Sequence, residues 1–322
     1  MFAHPDAAYG SHVLDALPAR GYGDYLMNAK AIVIGAAKHV ALTLGFLICF
    51  ILPTTIIPVQ QQLQQAMQQS ASTSTFMLSL LGLSFTTVLV VSYAVRHAVV
   101  GGIRLICALI ITLFGFLTAM GQIETFYFRS AFPSLGSQEI LNIVYRGFLT
   151  ALLFVPLAVI TWRKTRGDGM STAGIAWKSW LWKAPVLALL YMVIYFSFGY
   201  WVAWQFPETR LLYTGSTEIL GVTDHLQKIF SDSPFFAPLQ FIRGLLWIAF
   251  ATPLILALVG RRRETIISLA LLGGLFGLQI LLPNPLFPEM VRYAHALETI
   301  PSTALYGALI GIVLAPAGSP QK

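Results

Sequence analysis

The chain alternates long apolar runs with short polar ones. Eight apolar runs cover about 39–59, 75–95, 99–120, 142–162, 184–206, 236–259, 265–284 and 299–315. A helix of about twenty residues crosses roughly 30 Å of hydrocarbon. The pattern therefore predicts an all-α polytopic membrane bundle of about eight transmembrane helices. It divides the chain into a short lead over 1–38, one membrane domain over 39–316 and a tail over 317–322.

Two polar runs carry a pattern of their own. "QQQLQQAMQQSASTS" at 60–74 reads as a low-complexity spacer. Leu63 and Met67 are four apart in it, which suits a short helix on the membrane surface. "STEILGVTDHLQKIF" at 216–230 is amphipathic. Ile219, Leu220, Val222, Leu226, Ile229 and Phe230 form an apolar face, with Ser216 or Thr217 as N-cap. This predicts an interfacial helix that covers the bundle or serves as a lid over a cavity.

The middle of the chain suggests an internal repeat. Arg146-Gly147 precedes Pro156, and Arg243-Gly244 precedes Pro253, with ten residues from arginine to proline in each case. One span earlier, Gly115 lies nine residues before Glu124, and Gly199 nine before Glu208. The third and fourth spans would then match the fifth and sixth as a parallel hairpin repeat about an axis along the membrane normal.

Composition narrows the class. Of 322 residues, 57% are hydrophobic and 10% charged. A soluble protein carries about 25% charged residues, so no large soluble domain is present. Both cysteines, Cys49 and Cys107, fall inside spans and read as packing residues rather than a disulfide. The lead lacks the basic start and apolar core of a signal peptide, and its "GYGD" at 21–24 reads as a turn.

Charge adds an orientation. With the N-terminus placed in the cytoplasm, fourteen of the twenty Lys and Arg residues fall at cytoplasmic ends. Both termini then lie inside a cell (inner) membrane. The net charge of +7 is topological and calls for no nucleic-acid partner. Eight of the thirteen acidic residues fall on the outer side, which also holds the longer loops. Candidate chemistry is expected there.

"PEMVRYAHALETIP" at 288–301 places Arg292, His295 and Glu298 three apart, on one side of a helix. Pro288 favours a helix start, and Pro301 predicts a kink or the start of the last span. With the glutamates and arginines of the hairpins, the candidate ligand-binding set is Glu124, Arg146, Glu208, Arg243, Arg292, His295 and Glu298. Arg146 is expected near the interface and Arg243 deeper, where it needs a partner such as Glu124. His295 and Glu298 lack a nearby second histidine, so no metal site is expected. There is no HExxH, GxSxG, Walker A or Rossmann glycine pattern, and no cofactor or catalytic residue is assigned.

Three functions fit this reading. The first is binding or transport of a small or amphiphilic solute through an outward-facing polar cluster. The second is a non-catalytic accessory or assembly subunit, with other membrane proteins or a second copy as partners. The third is an enzyme acting on a lipid-linked substrate at the outer leaflet. The bilayer is a partner in all three.

Overall fold

The computed structural model describes residues 22–70, 72–132, 135–166 and 177–316. The lead up to residue 21 and the tail over 317–322 lie outside the described residues. Among those described there are helices and no strands. Eight helical segments are long and apolar enough to cross a membrane. The protein is a membrane-embedded all-α bundle.

The first span joins α1 (Tyr22–Ile51) to the single turn α2 (Pro53–Ile56). Because α1 begins at Tyr22, the "GYGD" stretch is helical from its second residue rather than a turn. The surface helix α3 (Gln61–Ser70) follows, then α4 (Thr73–His97), whose start is capped by the Ser72 side chain accepting from the Thr75 N–H. The third span is α5 (Gly102–Phe114), a π-helical turn at Gly115–Ala119 and α6 (Met120–Tyr127). The fourth is α7 (Ser137–Thr161), and the fifth centres on α8 (Trp177–Trp201). Two short helices, α9 (Pro207–Thr214) and α10 (Val222–Asp232), precede α11 (Phe236–Ala257), the sixth span. The last two spans contain α12 (Arg262–Leu278) and α13 (Glu289–Leu314).

Several boundaries differ from the sequence expectation for physical reasons. α7 begins at Ser137, so Arg146 sits well inside a helix and is buried. The 216–230 segment turns helical only at Val222, and the Ser216 hydroxyl accepts from the Glu218 N–H instead of capping it. Gly215 takes the left-handed conformation that ends α9, at φ 72°, where a side chain would be strained. Pro301 does not start a separate span: α13 runs through it as one helix. Arg292, His295 and Glu298 are therefore the first turns of the eighth span.

The apolar core is continuous and centres on Trp247, Phe116, Phe154 and Tyr306. α12 and α13 form the tightest hairpin. A Cβ at Gly273 would sit 2.1 Å from the Thr303 carbonyl oxygen, and one at Gly307 2.2 Å from that of Leu269. Small residues let two membrane helices approach backbone to backbone, where packing rather than hydrophobicity holds them. The Thr303 hydroxyl adds a hydrogen bond to the Gly273 carbonyl.

α3 is more than a spacer. Leu63 is buried with Phe132, Leu135 and Ile140 in a small apolar cap over one end of the bundle. This loop-rich end also carries α9, α10 and the 282–288 segment. The opposite, arginine-rich end is closed by the 98–101 segment, where the Val99 N–H bonds the Ala257 carbonyl and the Gly102 N–H bonds that of Lys164. Cys49 lies in the core and Cys107 is exposed, and both are free thiols.

The two hairpins share landmarks but not packing register. A Cβ at Gly147 would meet Thr118, three residues after Gly115. One at Gly244 would meet Ala188, eleven residues before Gly199. The two closures thus lie about four helical turns apart along their partner spans.

Candidate functional site

Four spans converge on one arginine. Arg243 follows Gln240 by three residues on α11 and precedes Trp247 by four, so the three share a stripe facing the bundle interior. Such a charge cannot be left unpaired inside a membrane. Arg243 Nη2 lies 2.8 Å from Glu124 Oε2 on α6, and its side chain is 1% exposed against 27% for the glutamate. Nη1 donates to Gln240 Oε1 at 2.8 Å, and Nη2 also reaches the Met120 carbonyl at 3.3 Å. The guanidinium carbon lies 6.0 Å from the ring centre of Tyr191 and 5.8 Å from that of Tyr195, both on α8. Tyr195 donates its hydroxyl hydrogen to the other oxygen of Glu124. The Tyr306 hydroxyl on α13 bonds the Gly244 carbonyl at 2.9 Å, which ties the eighth span to the sixth.

The π-helical turn lies one turn before Glu124. The extra residue in a π turn shifts the helix face that follows it, and such bulges favour functional sites. Gly115 opens the turn where the Phe250 ring packs, and a Cβ there would sit 2.1 Å from that ring.

A second group of polar side chains stands beside the first at the loop-rich end. His295 Nδ1 is 3.1 Å from Glu298 Oε2, and its Nε2 is 3.2 Å from the Tyr213 hydroxyl. Glu298 faces α8: its Oε1 would lie 3.8 Å from a Cβ at Gly199. Tyr213, on α9, meets the His295 ring edge to face as well as through its hydroxyl. Burial, and then the charges of Glu124 and Glu298, push its phenol well above the usual tyrosine range. Aromatic rings of Phe128, Trp204 and Phe287 pack around Tyr213 and His295.

The seven residues expected from sequence thus separate. Arg243 and Glu124 pair in the first group, and His295 and Glu298 pair in the second. Arg146 belongs elsewhere: it pairs with the fully buried Glu139 and donates to the Ile57 carbonyl. Glu139 also accepts from the Gln60 backbone N–H at 3.3 Å, so the pair fastens the turn before α3 onto α7. Arg292 reaches the Asn284 carbonyl at 3.5 Å beside the cluster, and Glu208 is exposed on α9. Sequence reading missed Tyr195, Tyr213 and Gln240. Gln240 and Arg243 are three apart on one span, a visible signal, whereas tyrosines among 22 phenylalanines and seven tryptophans give none.

Two buried donors in the cluster have no acceptor: Arg243 Nε and Gln240 Nε2. The Trp247 indole N–H is also unpartnered, close to the Tyr191 hydroxyl. Two shallow apolar grooves, of about 500 and 410 Å³, lie along α8 and between α5 and α11, and neither touches the cluster. Among the described residues, no three His, Cys, Asp or Glu side chains are grouped to hold a metal ion. Comparison of the chain with protein-family models, characterised proteins and solved structures finds no match.

Proposed function

We propose that this protein binds or transports a small polar or amphiphilic solute, and that its site is the cluster of Glu124, Arg243, Tyr195, Tyr213, His295 and Glu298. The supporting observation is the pair of orphaned donors, Arg243 Nε and Gln240 Nε2. A buried donor without an acceptor costs about 1–3 kcal/mol, and each such group calls for an explanation. An oxygen of a carboxylate, carbonyl or hydroxyl-bearing solute would accept from both. Ionisable side chains within membrane spans commonly mark substrate pathways. The 27% exposure of Glu124 and the 19% exposure of His295 put the approach at the loop-rich end.

The arginine-rich bias supports an orientation with both termini in the cytoplasm of a cell (inner) membrane and the loop-rich end outside. A cysteine at the exposed Ser216 should then label with an impermeant thiol reagent in intact cells, and one at the exposed Thr165 should not. The opposite labelling would invert the orientation.

One observation favours a second reading, an accessory subunit in which the cluster is a structural clamp: Arg243 is ion-paired and nearly inaccessible. The same burial argues against an enzyme that presents Arg243 to a lipid-linked substrate. A thermal-shift panel of small carboxylates, amino acids and amphiphiles on nanodisc-embedded protein separates the first two readings. A bound solute raises stability by mass action. At least one class should raise the melting temperature of the wild type and lose that effect in Gln240→Met. A panel with no effect, together with a Gln240→Met protein more stable than wild type, would make the orphan donors a packing defect and favour the clamp.

A further inference from the structure

The His295 group deepens the binding-site reading, on which this inference rests, by supplying a coupling ion. His295 stands in the first turns of α13 with both ring nitrogens engaged. A carboxylate only accepts, so Nδ1 carries a hydrogen donated to Glu298, and in the neutral ring Nε2 accepts from Tyr213. The His295 side chain is 19% exposed and that of Glu298 10%, so the ring is the more open of the two.

The groups around the pair have settled partners. On the same helix, Arg292 is engaged at the Asn284 carbonyl. The 282–288 segment presents only the Phe287 ring. From α8, Tyr195 is bonded to Glu124, and from α11, Arg243 is ion-paired to Glu124. From α9, Tyr213 touches His295 directly. Two carboxylates, one guanidinium and a neutral imidazole leave the cluster with a net charge of one negative unit. An imidazolium brings it to zero.

We infer that His295, clasped by Glu298 and Tyr213, is a proton-binding site whose loading reverses its hydrogen bond with the Tyr213 hydroxyl. A proton from water adds to the Nε2 lone pair, and one N–H bond forms. The Nε2–H then donates to the Tyr213 oxygen, so the hydrogen bond between them reverses direction. The phenol hydrogen must then leave that line and turn away from His295. Loading also removes the net negative charge, so an anionic solute accepting from Arg243 Nε and Gln240 Nε2 binds the loaded cluster more readily than the empty one. Solute and proton would enter together.

The test is nuclear magnetic resonance of the full chain in nanodiscs without solute, labelled with 15N-histidine and 13Cζ-tyrosine, from about pH 5 to about pH 8, where imidazole changes charge. The expected result is a one-proton transition at a histidine signal that is absent from His295→Gln. A tyrosine signal absent from Tyr213→Phe should move at the same midpoint. A His295 signal fixed in one form across the range overturns the inference, and so does a Tyr213 signal that ignores the transition. Where His295→Gln or Tyr213→Phe fails to fold, His295→Asn or Tyr213→Leu makes the same assignment. Because no solute is present, a failed solute panel leaves this result standing, and a failed titration leaves the solute site standing.

Discussion

Arg243 on the sixth span and Glu124 on the third form an ion pair of 2.8 Å in which the cation is almost fully buried and the anion is not. The asymmetry decides which partner is costlier to lose. Glu124→Gln leaves a buried guanidinium unmatched, a loss of about 3–5 kcal/mol. Arg243→Met leaves a carboxylate that is only partly buried, a loss of about 1–3 kcal/mol. The double variant removes both charges and should fall well short of the sum. Chemical denaturation of the three variants in one detergent checks the order.

The Arg146–Glu139 pair holds α3 and its preceding turn to α7. Arg146→Ala should expose the 57–70 region to protease and cost about 3–5 kcal/mol, because Glu139 is fully buried. Solute binding should survive in the fraction that folds, since this pair lies outside the cluster. Loss of binding without loss of stability would bring Arg146 back into the site.

The α12–α13 hairpin should tolerate no added methyl group at its crossing. Gly273→Ala and Gly307→Ala each drive a Cβ into a backbone carbonyl, at 2.1 and 2.2 Å. Overpacking of this kind costs about 1–3 kcal/mol or more. Gly82→Ala, where nothing lies within 4 Å, serves as the control and should melt with the wild type.

His225 makes α10 acid-sensitive. Its ring is packed against Trp204 and Tyr200, and burial holds its imidazole below the usual histidine range. The folded state therefore favours the neutral ring. Its contribution is complete above an unfolded value of about 6.5 and is lost as pH falls through the lower folded value. Wild-type protein should lose more melting temperature between pH 7.5 and pH 5 than His225→Phe does. Equal losses would show that α10 does not sense this proton.

The bundle was legible in the sequence because each span must satisfy its own backbone hydrogen bonds in lipid, and only a long apolar helix does so. The partner of Arg243 was legible for a related reason: so deep a charge required a carboxylate, and Glu124 was at hand. Arg146 misled because its partner, Glu139, belongs to the same helix, seven residues earlier, in a stretch that reads as loop. Pro301 offered a kink or a span start, and the second falls because a membrane helix packed on neighbours continues through a proline. The contact of His295 with Tyr213 depends on how α9 folds back over the bundle, and no periodicity along the chain encodes that.

Access of water-soluble reagents to Gln240 tests the central claim most directly. In a Cys49→Ala, Cys107→Ala background, Gln240→Cys places a thiol where an orphaned donor stands. If the cluster is a solute site, a small charged methanethiosulfonate applied at the loop-rich end should modify this cysteine far faster than one at the equally buried Ala158. A thiol at 240 as inert as one at 158, with Ser216→Cys labelled to completion, would contradict the account and leave the cluster as a clamp between helices.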